Sequence, residues 1–114
     1  MNEDSYKMFF RALSNGTRFG IIRLLKRKGP RSVTMICREL GFEQSRVSHN
    51  LRSLVACGFV HSEWKGKNKV YSLDEKHIVP MLENIDRHIA RYGKRLEECN
   101  VLRGRGACQF EKEA

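Results

Sequence analysis

The sequence predicts a single, mainly α-helical domain that contains one β-hairpin. Its 114 residues fall within the length of one domain, and 40% hydrophobic with 31% charged residues are typical of a protein with its own core. Apolar residues recur at helical spacing over most of the chain. No apolar run approaches the roughly 18 residues of a membrane helix. The acidic N-terminus also lacks the features of a signal peptide, so we expect a cytoplasmic protein.

The first half of the chain predicts three short helices. Residues 6–13 are mostly apolar, and residues 14–17 end this helix while offering side-chain oxygens that cap the next one. The second helix ends in three cations at residues 26–28, followed by Gly and Pro, which is typical of a helix C-terminus. Ser32 is expected to cap a third helix over residues 33–40.

A fourth helix and a β-hairpin follow. Residues 44–57 place four apolar side chains on one helical face, namely Val47, Leu51, Leu54 and Val55. Residues 59–64 and 69–73 have the composition of strands. The intervening Lys-Gly-Lys-Asn of residues 65–68 suits the loop of a hairpin.

The last helix carries a heptad pattern, with apolar residues spaced alternately four and three apart at Ile78, Leu82, Ile85, Ile89, Tyr92, Leu96 and Cys99. Pro80 fits only a first turn, so the regular helix is expected to begin near Val79. Such a stripe also suits the core of a monomer, but the earlier helices already supply one core. We therefore favour a homodimer that pairs through its first and last helices. Residues 1–99 then form the domain, and residues 100–114 form a C-terminal tail.

Positive charge is concentrated in the middle of the chain. The net charge is +9, and residues 15–71 contain twelve Lys and Arg against three Asp and Glu, whereas residues 1–14 and 72–114 are each balanced. A generally basic surface would spread this excess along the sequence. Confinement to one segment favours a polyanionic partner, because cations that neutralise phosphates release condensed counterions.

Two short helices joined at Gly41 and followed by a basic hairpin predict a winged helix-turn-helix. Gly41 suits the point where the backbone reverses, and Cys37 supplies a small residue where the helices cross. Polar side chains of the fourth helix can then donate to base edges and phosphates in a major groove of double-stranded DNA. The polar side chains at the hairpin tip can reach neighbouring phosphates or a minor groove. The predicted DNA-binding residues are Gln44, Ser45, Arg46, Ser48, His49, Arg52, Lys65, Lys67, Asn68 and Lys69.

These elements resemble the ArsR/SmtB family of dimeric prokaryotic repressors over about residues 8–95. The matching stretches are Leu13-Ser14-Asn15-Gly16-Thr17-Arg18, Ser32-Val33-Thr34, Ser45-Arg46-Val47-Ser48-His49-Asn50-Leu51-Arg52-Ser53-Leu54, Gly66-Lys67 and Val70-Tyr71-Ser72-Leu73. One departure is Gly16, where family members often carry Pro. The resemblance implies a winged helix that dimerises through its first and last helices, binds imperfect palindromes in promoters, and dissociates when a metal, metalloid or oxidant binds.

The resemblance also defines what a metal sensor would need. The metalloid motif E-L-C-V-x-D-L of the family is absent, because Ser32 stands where the first thiol would be. The zinc pattern, D-x-H with H-x-x-E, keeps a ligand-type residue at three positions, Glu75, His77 and His88, whereas Arg91 cannot ligate. The two histidines are eleven residues apart, about three helical turns, so both can lie on one face. Zinc is therefore a candidate effector that folding does not require; two surface histidines without a metal are the alternative.

The four cysteines form no C-x-x-C pair, which argues against zinc ribbons and thioredoxin-like sites. In a reducing cytosol they are expected to be free thiols, and Cys37 and Cys57 to be structural. Cys99 and Cys108 lie nine residues apart near the end of the last helix. They are candidates for oxidation, persulfide chemistry or soft metals, and two thiols without a sensing role are the alternative.

The leading interpretation is a homodimeric, sequence-specific DNA-binding regulator of transcription, which represses by occluding a promoter until a metal or thiol oxidation releases it. The alternative is an architectural DNA-binding or protein-interaction winged-helix protein without an effector. We do not expect an enzyme, because the sequence contains no nucleophile elbow, no phosphate-binding glycine loop and no recognisable pair of catalytic carboxylates.

Overall fold

The computed structural model describes residues 2–110 and is built mainly from helices. The elements in chain order are α1 (Glu3–Ser14), α2 (Gly16–Lys28), β1 (Arg31–Ser32), α3 (Val33–Leu40), α4 (Gln44–Ala56), β2 (Val60–Lys65), β3 (Asn68–Leu73) and α5 (Ile78–Glu98). The chain divides between Val79 and Pro80 into two compact units. Within the described residues, no helix is long and apolar enough to cross a bilayer.

Short polar side chains begin the first three helices, and the sequence predicted this for the second and third. Asn2 accepts a hydrogen bond from the Ser5 amide at 3.0 Å, so α1 begins earlier than its apolar residues alone predict. Asn15 accepts from the Arg18 amide at 3.1 Å. Ser32 accepts from the Met35 amide at 3.3 Å, which confirms the predicted cap of α3.

The core of the first unit is formed where α2, α3 and α4 meet the sheet. Its side chains are at most 7% exposed and comprise Ile21, Ile22, Leu24, Leu25, Ile36, Val47, Leu51, Leu54, Phe59, Val60, Leu73 and Ile78. The predicted apolar face of the fourth helix is confirmed at three positions, but Val55 is 37% exposed. Full burial of one aliphatic side chain contributes roughly 1.5–3 kcal/mol, so this stripe holds α4 firmly in one rotation.

The sheet has three antiparallel strands in the order β1-β3-β2, one more than the predicted hairpin. In the hairpin, Lys65 pairs with Asn68, and Gly66 has φ +64° in the two-residue turn between them, a conformation that favours glycine. The additional strand β1 pairs Arg31 with Tyr71 and Ser32 with Val70. It contains two residues, too few to show an alternating pattern, and it anchors the start of α3 to the hairpin.

Asp74 links the end of β3 to the start of α5. Its Oδ2 accepts hydrogen bonds from the amides of His77 at 2.9 Å and Ile78 at 3.3 Å, and its Oδ1 lies 2.8 Å from Nε2 of His61. The hydrogen bond from His61 and those from the two amides lower the pKa of Asp74 from 3.8 to about 2. His61 on β2 therefore bonds the carboxylate that directly follows β3, a contact that the sequence did not predict.

The depressed pKa predicts how stability depends on pH. The carboxylate of Asp74 stabilises the fold above its unfolded pKa of 3.8, and this contribution is lost as pH falls through the folded pKa of about 2. Replacement by alanine (Asp74→Ala) should therefore lower the melting temperature at pH 7, and the difference from the parent protein should shrink between pH 4 and pH 2, as measured by circular dichroism. Glu75→Ala, an exposed neighbour, is the control. A difference that stayed constant down to pH 2 would contradict the charged cap.

Candidate nucleic-acid interface

A reversal of the backbone at Gly41 sets the angle between α3 and α4. Gly41 has φ +72° and ψ +25°, and its amide donates to the carbonyl of Cys37 at 2.8 Å. A side chain would be strained in this left-handed conformation even though no neighbouring atom crowds it. Ile36 before the turn and Val47 after it are both fully buried. The turn and its small core therefore hold the two helices as the sequence predicts.

Because one face of α4 is buried, the opposite, polar face is exposed to solvent. Of the six predicted DNA-binding residues on this helix, Ser48 is half-buried and the other five are exposed, namely Gln44, Ser45, Arg46, His49 and Arg52. Amide, hydroxyl, imidazole and guanidinium groups therefore share one surface. These are the groups that donate to or accept from base edges and phosphates.

Arg46 also has a structural role that sequence did not predict. Its Nε donates to the Thr17 hydroxyl at 2.7 Å, and its guanidinium carbon lies 4.2 Å from the centre of the Phe42 ring. Thr17 is only 4% exposed, although it lies in the first turn of α2. One N–H of Arg46 is thus directed to α2, and the bond fixes the first turn of α4 against that helix.

A second polar contact involves Arg18, another residue that the sequence analysis did not assign to the site. Its guanidinium donates to the carbonyls of Arg11 at 3.1 Å and Ala12 at 2.9 Å, and to Oδ1 of Asn50 at 3.3 Å. Asn50 in turn donates to the carbonyl of Arg46 at 2.9 Å. Arg18 therefore ties the end of α1 to the middle of α4.

The β2–β3 hairpin, here called the wing, exposes all four of its predicted DNA-binding residues: Lys65, Lys67, Asn68 and Lys69. Lys67 lies in the turn, and Lys65 is 3.7 Å from a carboxylate oxygen of Glu63. Lys69 lies directly opposite Trp64 in the sheet, with its Nζ 5.8 Å from the centre of the Trp64 ring. Trp64 is 68% exposed, which is unusual for so large an aromatic side chain.

A cleft of about 180 Å³ lies between α4 and the wing. It is lined by Arg52, Val55 and Ala56 from α4 and by Ser62, Lys69 and Tyr71 from the wing. Two cations and two hydroxyl groups therefore line one concave surface, which suits a backbone phosphate. The sequence placed Arg52 and Lys69 on different elements and did not predict that they would line the same cleft.

Three carboxylates fall within the basic segment of residues 15–71, and Glu39 already has cationic partners. Glu39 lies 3.3 Å from Nζ of Lys28 and 3.3 Å from Nε of Arg31. Burial raises the pKa of Glu39, but the hydrogen bonds and charges of Lys28 and Arg31 outweigh it and hold the pKa below its ordinary value. Glu39 thus stays ionised and offsets the positive charges of Lys28 and Arg31 between α2 and α3.

The three predicted zinc ligands are all exposed side chains. Glu75 and His77 are exposed between β3 and α5. His88 is exposed on α5, and its ring centre lies 4.9 Å from that of Tyr92. Over residues 2–110, no three His, Cys, Asp or Glu side chains gather as a metal site within one chain. Zinc binding at Glu75, His77 and His88 stays a prediction.

All four cysteines are free thiols. Cys57 is exposed at the end of α4, and Cys37 is half-buried beside the turn. Cys99 and Cys108 are both half-buried, and the thiol of Cys108 lies against the sulfur of Cys99. The structure therefore brings together the two thiols that the sequence marked as candidates, although nothing in their spacing required them to meet.

Comparisons with known proteins agree with this geometry. Residues 15–62 match the family described as "Bacterial regulatory protein, arsR family". The chain is 39% identical over 77 residues to the HTH-type transcriptional regulator NmtR of Mycobacterium tuberculosis, covering 68% of this chain and 63% of that protein. It thus spans less than two thirds of NmtR. It is 30% identical over 103 residues to a probable mercury resistance operon repressor of Streptomyces lividans, covering 90% of this chain and 82% of that protein.

A solved structure supports the same fold. The winged helix-turn-helix domain of Mb0332 from Mycobacterium bovis, described as homodimeric, superposes with a TM-score of 0.66 at 22% identity, covering 83% of this chain and 92% of the other. The arrangement of the helices and the β-sheet is thus a known architecture. This chain has a winged helix-turn-helix fold and belongs to the ArsR family of bacterial regulatory proteins.

Proposed function

We propose that this protein is a homodimeric regulator of transcription that binds a specific DNA sequence and represses by occluding a promoter. An effector, either a metal or thiol oxidation, releases it. The observation that carries the proposal is the arrangement of α4, which buries Val47, Leu51 and Leu54 completely and leaves its polar face open beside a basic wing. In this function the protein acts in the cytoplasm and catalyses no reaction.

The two parts of the surface suit different parts of a DNA duplex. Gln44, Ser45, His49 and Arg52 lie on a helix, and a helix fits the major groove, where base edges differ between base pairs. Lys65, Lys67 and Lys69 lie on a hairpin, whose cations suit the phosphates beside the groove. The cleft that joins Arg52 to Lys69 would place one phosphate between them.

Exposed apolar residues support the homodimer. On α1, Tyr6 is 54% and Phe10 is 61% exposed. On α5, Ile89 is 46% and Leu96 is 41% exposed, and both belong to the heptad pattern. Large apolar side chains repeated along two helices are typical of surfaces that a partner covers. A second copy of this chain would supply the same helices, and the Mb0332 domain is described as homodimeric.

The relatives support an effector that is a metal. The relative from Streptomyces lividans is named for mercury resistance, and mercury prefers thiolate ligands. In this chain, Cys99 and Cys108 are soft ligands that lie together, whereas Glu75, His77 and His88 are harder ligands that suit zinc. The two sets make different predictions and are separable by mutation.

Specific binding is tested with the duplex upstream of the protein's own coding sequence against a scrambled duplex, by fluorescence anisotropy. A preference of roughly a thousandfold or more is expected. Arg52→Ala should weaken specific binding by about 1–3 kcal/mol, whereas Lys67→Ala should weaken binding to both duplexes equally and reduce the salt slope by about 1. Arg46→Ala should also weaken binding, with some loss of stability because Arg46 bonds Thr17.

Lys76→Ala, an exposed cation outside α4 and the wing, is the matched control and should have little effect. Equal affinity for both duplexes would favour the architectural alternative. If Arg46→Ala, Arg52→Ala and Lys67→Ala all left binding unchanged, the assignment of α4 as the recognition helix would be wrong.

Trp64 provides a direct test of wing contact, because it is the only tryptophan in the chain and is 68% exposed. Its emission should change on addition of the specific duplex and saturate at the same DNA concentration as anisotropy. Trp64→Phe should abolish the signal while leaving the anisotropy titration measurable. An emission spectrum that is unaltered at saturating DNA would show that the wing stays clear of the duplex.

Zinc sensing is tested with His88→Ala. If His88 is a ligand, this variant should require more zinc to release DNA, and the metal-free affinity for DNA should stay as in the parent protein. Cys99→Ser/Cys108→Ser, the control, should leave zinc release unaffected while removing any response to soft metals or oxidant. An identical zinc response in His88→Ala and the parent would discard the histidine site.

A further inference from the structure

The segment after α5 turns back on the end of that helix. Gly104 and Gly106 have φ of +72° and +103°, a conformation that glycine adopts readily and that reverses the chain. The side-chain amide of Gln109 then holds the reversed segment through both its oxygen and its nitrogen. Its Nε2 donates to the carbonyl of Glu98 at 2.7 Å, and its Oε1 accepts from the amide of Asn100 at 3.0 Å. Residues 108–110 are thereby held beside residues 98–100.

This reversal is what brings Cys99 and Cys108 together. The backbone amide of Leu102 donates to the Cys99 sulfur and lowers its pKa; burial raises it, and the Val101 amide and the Cys108 thiol lower it further, so that the pKa lies below its ordinary value. The Cys108 sulfur accepts from the Phe110 amide at 3.4 Å. Hydrogen bonds to its sulfur therefore favour the thiolate of Cys99, and the Cys108 thiol is already beside it.

A small molecule can reach the pair. A cavity of about 280 Å³ borders Cys99 and is lined mainly by apolar and aromatic side chains, including Leu96, Leu102 and Phe110. Both cysteines are half-buried rather than enclosed. A small uncharged oxidant can enter such an apolar cavity without a charged partner.

We propose that Cys99 and Cys108 are a redox pair that closes to an intrachain disulfide on reaction with hydrogen peroxide. The inference deepens the thiol part of the proposed function, but the chemistry itself does not depend on DNA. Because Leu102 and Phe110 line one cavity with Tyr92 and Leu96 of the heptad pattern, the disulfide would fix the tail over the end of that apolar face.

The reaction balances in two steps. The Cys99 thiolate attacks one oxygen of hydrogen peroxide, the O–O bond breaks, and hydroxide leaves, so that Cys99 becomes a sulfenic acid. The Cys108 thiolate then attacks the sulfur of that sulfenic acid, the S–S bond forms, and the S–O bond breaks. Protons from the two thiols convert the two departing hydroxides to water. Two thiols are oxidised by two electrons and one peroxide is reduced to two waters.

Peptide mapping of the full-length, peroxide-treated protein tests the proposal, because trypsin cleaves after Arg103 and Arg105, between the two cysteines. The expected product is peptide 96–103 joined to peptide 106–112, with the mass of the parent pair less two hydrogen atoms, and it should separate after dithiothreitol. A mixture of 15N-labelled and unlabelled protein should give no mixed-isotope pairs, since the bond forms within one chain. Cys37→Ser/Cys57→Ser should give the same linked peptide.

The single variants test which thiol reacts first. Cys108→Ser removes the second thiol, so dimedone should trap a sulfenic acid on Cys99, whereas Cys99→Ser should give much less adduct on Cys108; circular dichroism checks that both variants fold. Mixed-isotope pairs, a link to Cys37 or Cys57, or thiols that stay reduced in excess peroxide would each overturn the proposal. These experiments contain no DNA, so their outcome does not depend on whether the protein binds an operator.

Discussion

The complete burial of one stripe on α4 is the constraint on which the rest of the interface depends. Val47, Leu51 and Leu54 recur at helical spacing and are at most 1% exposed, so rotation of α4 would expose aliphatic surface at a cost of roughly 1.5–3 kcal/mol for each side chain. The opposite face must then carry the polar side chains to solvent. A surface that reads base edges requires such a fixed rotation, because hydrogen bonds to bases depend on direction as well as distance.

Polar contacts further fix the position of α4 that burial of its apolar face sets. The bond from Arg46 to Thr17 and the contacts of Arg18 with α1 and Asn50 hold α4 along its length and against two other helices. Because Thr17 is nearly buried, loss of the Arg46 partner would leave a hydroxyl unsatisfied, which is costly in a core. Arg46 thus serves the fold, and under the proposed function it also serves the binding surface, so the effect of its mutation would combine both roles.

Local features of the sequence predicted most of the fold, and contacts between distant segments account for what it missed. Ser32, Gly41 and the stripe on α4 act within a few residues of their own positions, so their side chains alone indicate a cap, a turn and a buried face. Strand β1 exists because Arg31 pairs with Tyr71, forty residues later. The bond between His61 and Asp74, the cleft between Arg52 and Lys69, and the contact of Cys99 with Cys108 likewise depend on how the chain folds back.

The heptad pattern on α5 offers a way for an effector to alter DNA binding through dimer pairing. In a homodimer that pairs through α5, a ligand or bond that alters the end of this helix alters the free energy of pairing, and two recognition helices bind a palindrome only while they are paired. Linkage is reciprocal, so DNA that favours the paired state must also change the affinity of the effector by the same factor. Coupling free energies between two sites are typically about 1–3 kcal/mol, roughly 5- to 150-fold in affinity. Under the proposed disulfide between Cys99 and Cys108, a change in pairing of this size would be enough to act on transcription.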